Sequence, residues 1–230
     1  MALRLGDIAP DFEAETSKGP IKFSEYVKDS WAILFSHPDD YTPVCTTELS
    51  AVALSAGDFA SRGVKLIGLS ANDVASHEGW IKDIDALTGS AGASNVDFPI
   101  IADKDRSVST LYGMLDNLDK TNVDAKGIPF TVRSVFIIDP ARVIRLTLTY
   151  PASTGRNFPE IIRVIDSLQL GDKHKITTPA NWNKGDKVIV HPSVQGEQVQ
   201  KLFGDDVEVV YPYLRFTSDP STKKAANGSA

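Results

Sequence analysis

The chain has 230 residues, enough to bury one substantial hydrophobic core with a smaller appended unit. Its hydrophobic content of 42% and charged content of 23% are ordinary for a globular protein. The formal net charge of -6 argues against a nucleic-acid-binding protein, which usually carries a basic excess. The longest apolar runs fall short of the ~20 residues that cross a bilayer, so we expect no membrane association.

The sequence contains a single cysteine, Cys45, which excludes an intrachain disulfide and fits a reducing compartment. The N-terminal residues lack the apolar segment of a secretory signal, so we expect a cytoplasmic protein. The alternative is a mitochondrial protein whose targeting segment is absent from this sequence. No regular ligand spacing links Cys45 with His37 or His77, so we expect neither a metal site nor a cofactor.

Taken in chain order, the pattern predicts an irregular or hairpin-like entry over residues 1–30, followed by alternating strands and helices. Strands are predicted at residues 31–36, 64–70, 98–101, 132–138 and 143–150, and helices at 43–61, 74–87, 107–112 and 158–168. A loop of small residues is predicted at 88–94. This alternation indicates an α/β core with helices on both faces of a mixed sheet.

The composition changes near residue 171, where a short strand at 187–191 and a helix near 197–203 are predicted. We therefore predict a main domain over residues 1–170 and a small C-terminal domain over residues 171–220. The second domain is too thin to be stable alone and should pack on the main domain or on a partner subunit. We expect a disordered tail at 221–230.

Cys45 follows a predicted helix start. Thr42 is a favoured N-cap residue and Pro43 suits the first helical position, so Cys45 becomes the third helical residue. Amides of a first turn lack carbonyl partners, and thiols placed there have pKa values lowered from ~8.5 to between ~3.5 and ~7.5. The position therefore favours a reactive thiolate over an inert buried cysteine. We expect Asp39 and Asp40, just before it, to be solvated loop carboxylates.

Several sequence blocks, spread over nearly the whole chain, have counterparts in one family. Residues 38–45 read Pro-Asp-Asp-Tyr-Thr-Pro-Val-Cys, between His37 and Thr-Thr-Glu-Leu at 46–49. Residues 150–157 read Tyr-Pro-Ala-Ser-Thr-Gly-Arg-Asn. The first block resembles the Pro-x-x-x-Thr-x-x-Cys motif of the peroxiredoxins, and the second resembles a block of their one-cysteine subgroup. Residues 132–140 resemble the strand with the family's active-site arginine, and residues 178–182 and 213–216 resemble its C-terminal domain.

The resemblance implies a thioredoxin-like core and the reduction of hydrogen peroxide and organic hydroperoxides by the thiolate of Cys45, which becomes a sulfenic acid. By resemblance, Thr42 hydrogen-bonds the peroxide and Arg133 supplies a permanent cation beside the sulfur. Pro38 shields the thiolate from water, and the amides of Val44 and Cys45 bind the peroxide oxygens. This chemistry belongs to antioxidant defence and redox homeostasis.

Three further residues take supporting roles in this interpretation. Glu48 is the expected orienter of Arg133, and His37 and Arg156 are expected around the same site. Taken without the motif, Thr42 is only an N-cap, Arg133 a solvated strand cation and His37 a loop histidine. With no second cysteine, an external reductant must restore the thiol, and glutathione, thioredoxin and ascorbate all remain open. The resemblance also implies a homodimer.

Two other functions are compatible with parts of the sequence. Some one-cysteine members carry a phospholipase-type activity assigned to a Gly-Asp-Ser-Trp-Gly segment and a histidine. Here residues 28–32 read Lys-Asp-Ser-Trp-Ala, and Ser24 stands at the histidine position, so we expect no lipase activity from Ser30 because a strained nucleophile turn needs small flanking residues. The other alternative is a binding or chaperone-like assembly protein whose cysteine senses oxidants.

Overall fold

The computed structural model describes residues 3–89 and 94–222, which fall into two compact units that divide between Phe158 and Pro159. The helices are α1 (Phe23–Tyr26), α2 (Pro43–Leu54), α3 (Ala56–Ala60), α4 (Val74–Thr88), α5 (Ser107–Leu111), α6 (Phe158–Lys173) and α7 (Glu197–Phe203). The strands are β1 (Glu13–Ala14), β2 (Ile21–Lys22), β3 (Trp31–Ser36), β4 (Val64–Ser70), β5 (Ile100–Ala102), β6 (Arg133–Ile138), β7 (Ile144–Tyr150), β8 (Ile176–Thr177), β9 (Val188–Val190), β10 (Glu208–Tyr211) and β11 (Leu214–Thr217). Among these helices, none is both long and apolar enough to span a bilayer.

A five-stranded mixed sheet in the order β5-β4-β3-β6-β7 organises the first unit. Strands β3, β4 and β5 run parallel, whereas β6 is antiparallel to β3 and β7 is antiparallel to β6. Strands β3, β4 and β6 are almost wholly buried, which explains their continuous apolar sequences. Strand β7 alternates between covered and exposed residues, as expected for a strand at the sheet edge.

The topology brings the end of β3 and the start of β6 to the same edge of the sheet. Because the two strands are antiparallel, with Phe35 opposite Val135, Ser36 at the end of β3 lies near Arg133 at the start of β6. The Ser36 hydroxyl donates to the carbonyl oxygen of Val132, and it accepts a hydrogen bond from the amide of Ser134. The loop after β3 and the first side chain of β6 are therefore held at one place.

The predicted single helix over residues 43–61 is wrong, because the structure breaks it at Ser55. This residue has a ψ of 3°, outside the helical range, and it ends α2 just before α3 begins. Ser55 and Gly57 both have weak helix propensity, which explains the break. Gly63, which follows α3, adopts a left-handed φ of 65°.

The second unit has its own sheet, in the order β10-β11-β9-β8, and its own core. Trp182 and Phe203 are buried in that core with aliphatic side chains of β8 and β9. Sequence reasoning found α7 but missed β8, β10 and β11. The predicted boundary at residue 170 falls inside α6, and of the predicted disordered tail, residues 223–230 lie outside the described residues.

Replacing Leu34 by alanine tests the core of the first unit. Leu34 is 0% exposed in the central strand β3, so Leu34→Ala leaves a cavity and should lower the free energy of unfolding by about 2 to 5 kcal/mol. Urea denaturation measures this loss. The matched control is Leu54→Ala at the end of α2, where the side chain is 67% exposed and little change is expected. Equal losses of unfolding free energy in the two variants would contradict the assignment of Leu34 to the core.

Candidate active site

Cys45 lies in the first turn of α2 and is 0% exposed. Thr42 occupies the N-cap position and Pro43 the first helical position, as the sequence predicts. The expected side-chain cap is wrong, however, because the Thr42 hydroxyl donates to the carbonyl oxygen of Asp39 at 2.9 Å. Among the described residues, no acceptor is found for the amides of Val44 and Cys45. These two N–H groups are free to bind an anion or a polar ligand at the helix start.

Arg133, the first residue of β6, contacts the cysteine directly. Its Nη1 lies 3.3 Å from the Sγ atom of Cys45 and 2.6 Å from Oε2 of Glu48. Its Nε and Nη2 both donate to the carbonyl oxygen of Ala152, at 2.9 and 2.6 Å. The guanidinium is therefore fixed on three sides and buried, so Arg133 is not a solvated strand cation.

Glu48, one turn after Cys45 in α2, joins two arginines. Besides Arg133, it accepts hydrogen bonds from the backbone amide, Nε and Nη2 of Arg156, at 2.7, 2.9 and 2.8 Å. The remaining Nη1 of Arg156 donates to the carbonyl oxygen of Ser134 at 3.1 Å. The structure thus brings together Cys45, Glu48, Arg133 and Arg156, four of the residues singled out from the sequence.

The charges of Glu48, Arg133 and Arg156 do not cancel. Burial disfavours the charged form of Glu48, but the hydrogen bonds and positive charge of Arg156, with the charge of Arg133, outweigh it and lower the pKa of Glu48. One carboxylate then faces two guanidinium groups in a buried site, which leaves one positive charge in excess. The Sγ atom of Cys45 lies beside this excess positive charge, 3.3 Å from Nη1 of Arg133.

A cleft of about 300 Å³ opens in front of these residues. Its lining includes Pro38, Thr42, Val44 and Arg133, which the sequence predicts at the site. It also includes Thr121, Asn122 and Phe130, which sequence reasoning missed. No motif marked these three residues, since they come from a long connection between α5 and β6. The cleft is large enough to admit a small peroxide to the first turn of α2.

Asp40 is not the solvated carboxylate expected from the sequence, because it is only 3% exposed. Its Oδ1 lies 2.8 Å from Nε2 of His37, and its Oδ2 lies 2.8 Å from Nδ1 of His77 and from the Ser76 hydroxyl. Burial opposes ionisation of Asp40, but the hydrogen bonds to the two histidines outweigh it and lower its pKa well below the usual range. Asp39 is half-buried and accepts a hydrogen bond from Asn72.

His37 belongs to this second cluster, since its ring bonds Asp40. Burial lowers the pKa of His37, against the opposing hydrogen bond to Asp40, so the imidazole is neutral near pH 7. Its Nδ1 has no hydrogen-bond partner among the described residues. Within the described residues, no group of three or more His, Cys, Asp or Glu side chains is arranged to hold a metal ion.

Tyr41, between the two clusters, has a left-handed backbone. Its φ is 55°, a conformation that costs a non-glycine residue about 1 to 2 kcal/mol. The ring is 56% exposed and packs near Trp80, and its hydroxyl lies so close to Gly79 that a Cβ there would be 2.3 Å from it. The loop before α2 thus holds a strained residue that its surroundings must stabilise.

Ser30, the residue weighed as a lipase nucleophile, is not part of a catalytic triad in the described residues. Its hydroxyl donates to the carbonyl oxygen of Lys28 at 3.2 Å. His37 and His77 are both hydrogen-bonded to Asp40. The other two histidines of the chain, His174 and His191, belong to the second unit.

The lowered pKa of Glu48 predicts a specific pH dependence of stability. A carboxylate whose pKa is lower in the folded state stabilises the fold above its unfolded value of 4.5, and this contribution is lost as pH falls through the folded value. Glu48→Gln should therefore be less stable than wild type at pH 7, with the difference narrowing below pH 4.5. Urea denaturation across that range measures it. Glu25→Gln, at an exposed position, is the control, and parallel pH curves for Glu48→Gln and wild type would contradict the prediction.

Comparison with known proteins gives a consistent answer over the whole chain. Residues 5–147 match the AhpC/TSA family, and residues 167–205 match the C-terminal domain of 1-Cys peroxiredoxin. The chain is 49% identical over 223 residues to peroxiredoxin-6 of Rattus norvegicus, which covers 95% of this chain and 98% of that protein.

Solved structures agree with the fold. The crystal structure of the C45S mutant of peroxiredoxin 6 of Arenicola marina has a TM-score of 0.90 at 45% identity, covering 96% of this chain and 100% of that one. The yeast mitochondrial 1-Cys peroxiredoxin has a TM-score of 0.83 at 48% identity, covering 94% and 99%. These neighbours confirm the predicted α/β, thioredoxin-like core with a C-terminal extension. The chain therefore belongs to the AhpC/TSA family and, within it, to the 1-Cys peroxiredoxins, which makes it a thiol-dependent peroxidase.

Proposed function

We propose that Cys45 is the peroxidatic nucleophile and that Arg133 stabilises both its thiolate and the transition state. The observation that carries this proposal is the 3.3 Å contact between Arg133 Nη1 and Cys45 Sγ, in a buried cluster with one positive charge in excess. Glu48 orients Arg133, and Arg156 fixes Glu48 from the other side. Removing one such donor from a preorganised site typically slows catalysis by about 10²- to 10³-fold.

The reaction is a displacement on oxygen. The thiolate of Cys45 attacks the terminal peroxide oxygen, an S–O bond forms as the O–O bond breaks, and the sulfur becomes a sulfenic acid. The departing alkoxide or hydroxide takes up a proton and leaves as an alcohol or as water. The Thr42 hydroxyl and the free amides of Val44 and Cys45 are suited to hold the two oxygens in line, and Arg133 balances the negative charge that develops.

The cleft supports hydrogen peroxide and organic hydroperoxides as substrates. Among its lining residues, Arg133 and Thr42 offer polar contacts for the O–O bond. Val44, Phe130 and Ala152 add apolar surface on which the alkyl group of a hydroperoxide can pack. Pro38, also at the cleft and buried, keeps water from the thiolate in this proposal.

Regeneration requires two equivalents of an external thiol. One thiol condenses with the sulfenic acid and releases water, and a second reduces the mixed disulfide, which restores the Cys45 thiol and yields a disulfide. The yeast mitochondrial neighbour was solved to explain thiol resolution through glutathione and thioredoxin systems. We accordingly propose glutathione or thioredoxin ahead of ascorbate. A reducing compartment follows, with the cytoplasm proposed and the mitochondrion as the alternative.

Stopped-flow kinetics test the nucleophile and its arginine. Cys45→Ser should abolish peroxide consumption, and Arg133→Ala should lower the second-order rate with hydrogen peroxide by about 10²- to 10³-fold because the thiolate loses its nearest cation. Mass spectrometry of Cys45 after one equivalent of peroxide, without added thiol, should show a sulfenic acid. Arg62→Ala, a partly exposed arginine outside the cluster, is the control. A Cys45→Ser variant that still turned over peroxide would refute the assignment.

The same assay separates an enzyme from an oxidant sensor. With excess thiol, an enzyme keeps consuming peroxide, whereas a sensor gives one stoichiometric burst and stops.

We also propose that the chain forms a homodimer, with residues 1–170 as the peroxidase domain and residues 171–220 as the dimer-associated domain. Two observations support association. Strand β7 is an edge strand of the five-stranded sheet, and among the described residues only its first residue, Ile144, bonds the N-terminal segment on the outer side. The C-terminal unit exposes Val209, Val210, Tyr211 and Tyr213.

Sedimentation at micromolar concentration tests this assembly. We expect a mass of twice 24.9 kDa for the full chain. The double substitution Tyr211→Glu with Tyr213→Glu places charges on the exposed tyrosine surface. If that surface contributes to the dimer interface, this variant should shift the monomer–dimer equilibrium toward monomer. A purely monomeric wild-type protein would contradict the proposal.

A further inference from the structure

A buried network ties the loop before Cys45 to helix α4. Asp40 is the centre of the network, and its carboxylate accepts hydrogen bonds from the rings of His37 and His77 and from the Ser76 hydroxyl. The side chains of Asp40, His37 and His77 are all 0% exposed. Such a charged group is retained in a protein interior only where its partners are well placed.

The hydrogen bond between Asp40 and His77 joins the loop to α4. Nδ1 of His77 lies 2.8 Å from Oδ2 of Asp40, and its Nε2 lies 3.2 Å from the carbonyl oxygen of Ile101. A carboxylate oxygen only accepts hydrogen bonds, so Nδ1 of His77 donates to Asp40. Nε2 of His37 donates to the other carboxylate oxygen of Asp40.

One short segment, from the end of β4 to the first turn of α4, supplies the rest of the attachment. Asn72 accepts a hydrogen bond from the Asp40 amide at 3.1 Å and donates to the Asp39 carboxylate at 2.7 Å. The Asp39 carbonyl oxygen in turn accepts from the Thr42 hydroxyl. The segment therefore fixes the residues on both sides of the left-handed Tyr41, up to the hydroxyl proposed to bind peroxide.

We propose that Asp40 and His77 form a positioning pair, which holds the loop from Pro38 to Thr42 so that Thr42 meets the peroxide in line with Cys45. The pair touches neither the substrate nor the sulfur and acts through the backbone of the loop. This inference rests on the proposed role of Thr42. A displacement of about 1 Å in such a group is enough to cost ~10²-fold in rate, which sets the size of the expected effect.

The test compares two reactions of Cys45 in the full-length protein. Asp40→Asn keeps the shape of the side chain but cannot accept from both histidines. It should lower the second-order rate with hydrogen peroxide by about 10- to 100-fold. Alkylation of Cys45 by iodoacetamide requires the thiolate but not Thr42, so its rate should not fall. A role confined to general stability does not predict this divergence between the two rates.

His77 provides an independent pair of variants should Asp40→Asn fail to fold. His77→Leu removes the donor and should reproduce the selective loss of the peroxide reaction. His77→Asn keeps an N–H near the Nδ1 position and should recover most of the rate. Asp103→Asn is the matched control, because this buried carboxylate accepts from Ser109 and its neighbours and has no bond to the loop.

The outcomes separate this inference from the proposed function. Folded Asp40→Asn and His77→Leu variants with peroxide rates within about 3-fold of wild type would overturn the positioning pair. So would a parallel fall in peroxide and alkylation rates. A Thr42→Val variant that reacts with peroxide as fast as wild type would instead remove the proposed role of Thr42. A wild-type protein without peroxide reduction would refute the proposed function itself.

Discussion

The two-arginine bridge formed by Glu48 is the interaction on which the site depends. Glu48 and Cys45 lie one turn apart in α2, so any change in the bridge also changes the surroundings of the sulfur. The bridge recruits one arginine from the start of β6 and another from the segment after β7, elements that meet only in the folded sheet. A buried carboxylate alone would be costly, and two buried guanidinium groups would repel each other. Together with a thiolate they form a neutral set.

The loop that enters α2 lies between two charge clusters of different character. On one side, the hydrogen bonds of Asp40 with His37 and His77 attach the loop to α4. On the other, Glu48 cancels only one of two arginines, which leaves a positive charge for the sulfur. The first cluster can keep the loop in place without contacting the substrate. The second cluster provides positive charge beside the reacting sulfur. The strained backbone at Tyr41 lies between them, where both ends of the loop are fixed.

Much of the site could be predicted because its chemistry is encoded locally. The order Thr42, Pro43, Cys45 specifies a helix start from residue types alone, and the match to a family motif added Arg133, Glu48 and Arg156. The burial of Asp40 could not be predicted, because it depends on His77, 37 positions away, and nothing in the local sequence distinguishes it from the half-buried Asp39.

The errors in the fold have similar causes. Strand β10 is exposed along its whole length, so no apolar alternation marks it. Three residues of the cleft, Thr121, Asn122 and Phe130, come from a connection that lacks periodicity. The break at Ser55 interrupts a pattern whose apolar spacing continues across it. In each case the sequence pattern is weak, and tertiary contacts determine the structure of the segment.

The complete burial of Cys45 has a consequence for the order of events in a catalytic cycle. Oxidant and reductant differ greatly in bulk: a peroxide molecule fits the cleft, whereas the sulfur of a tripeptide or a protein must approach the oxidised sulfur along its S–O axis. With no exposed surface at Cys45, that approach requires the residues that cover the sulfur to move. Oxidation and repair thus make different demands on the same covering residues, and the ease with which these residues move limits how quickly the oxidised sulfur is repaired.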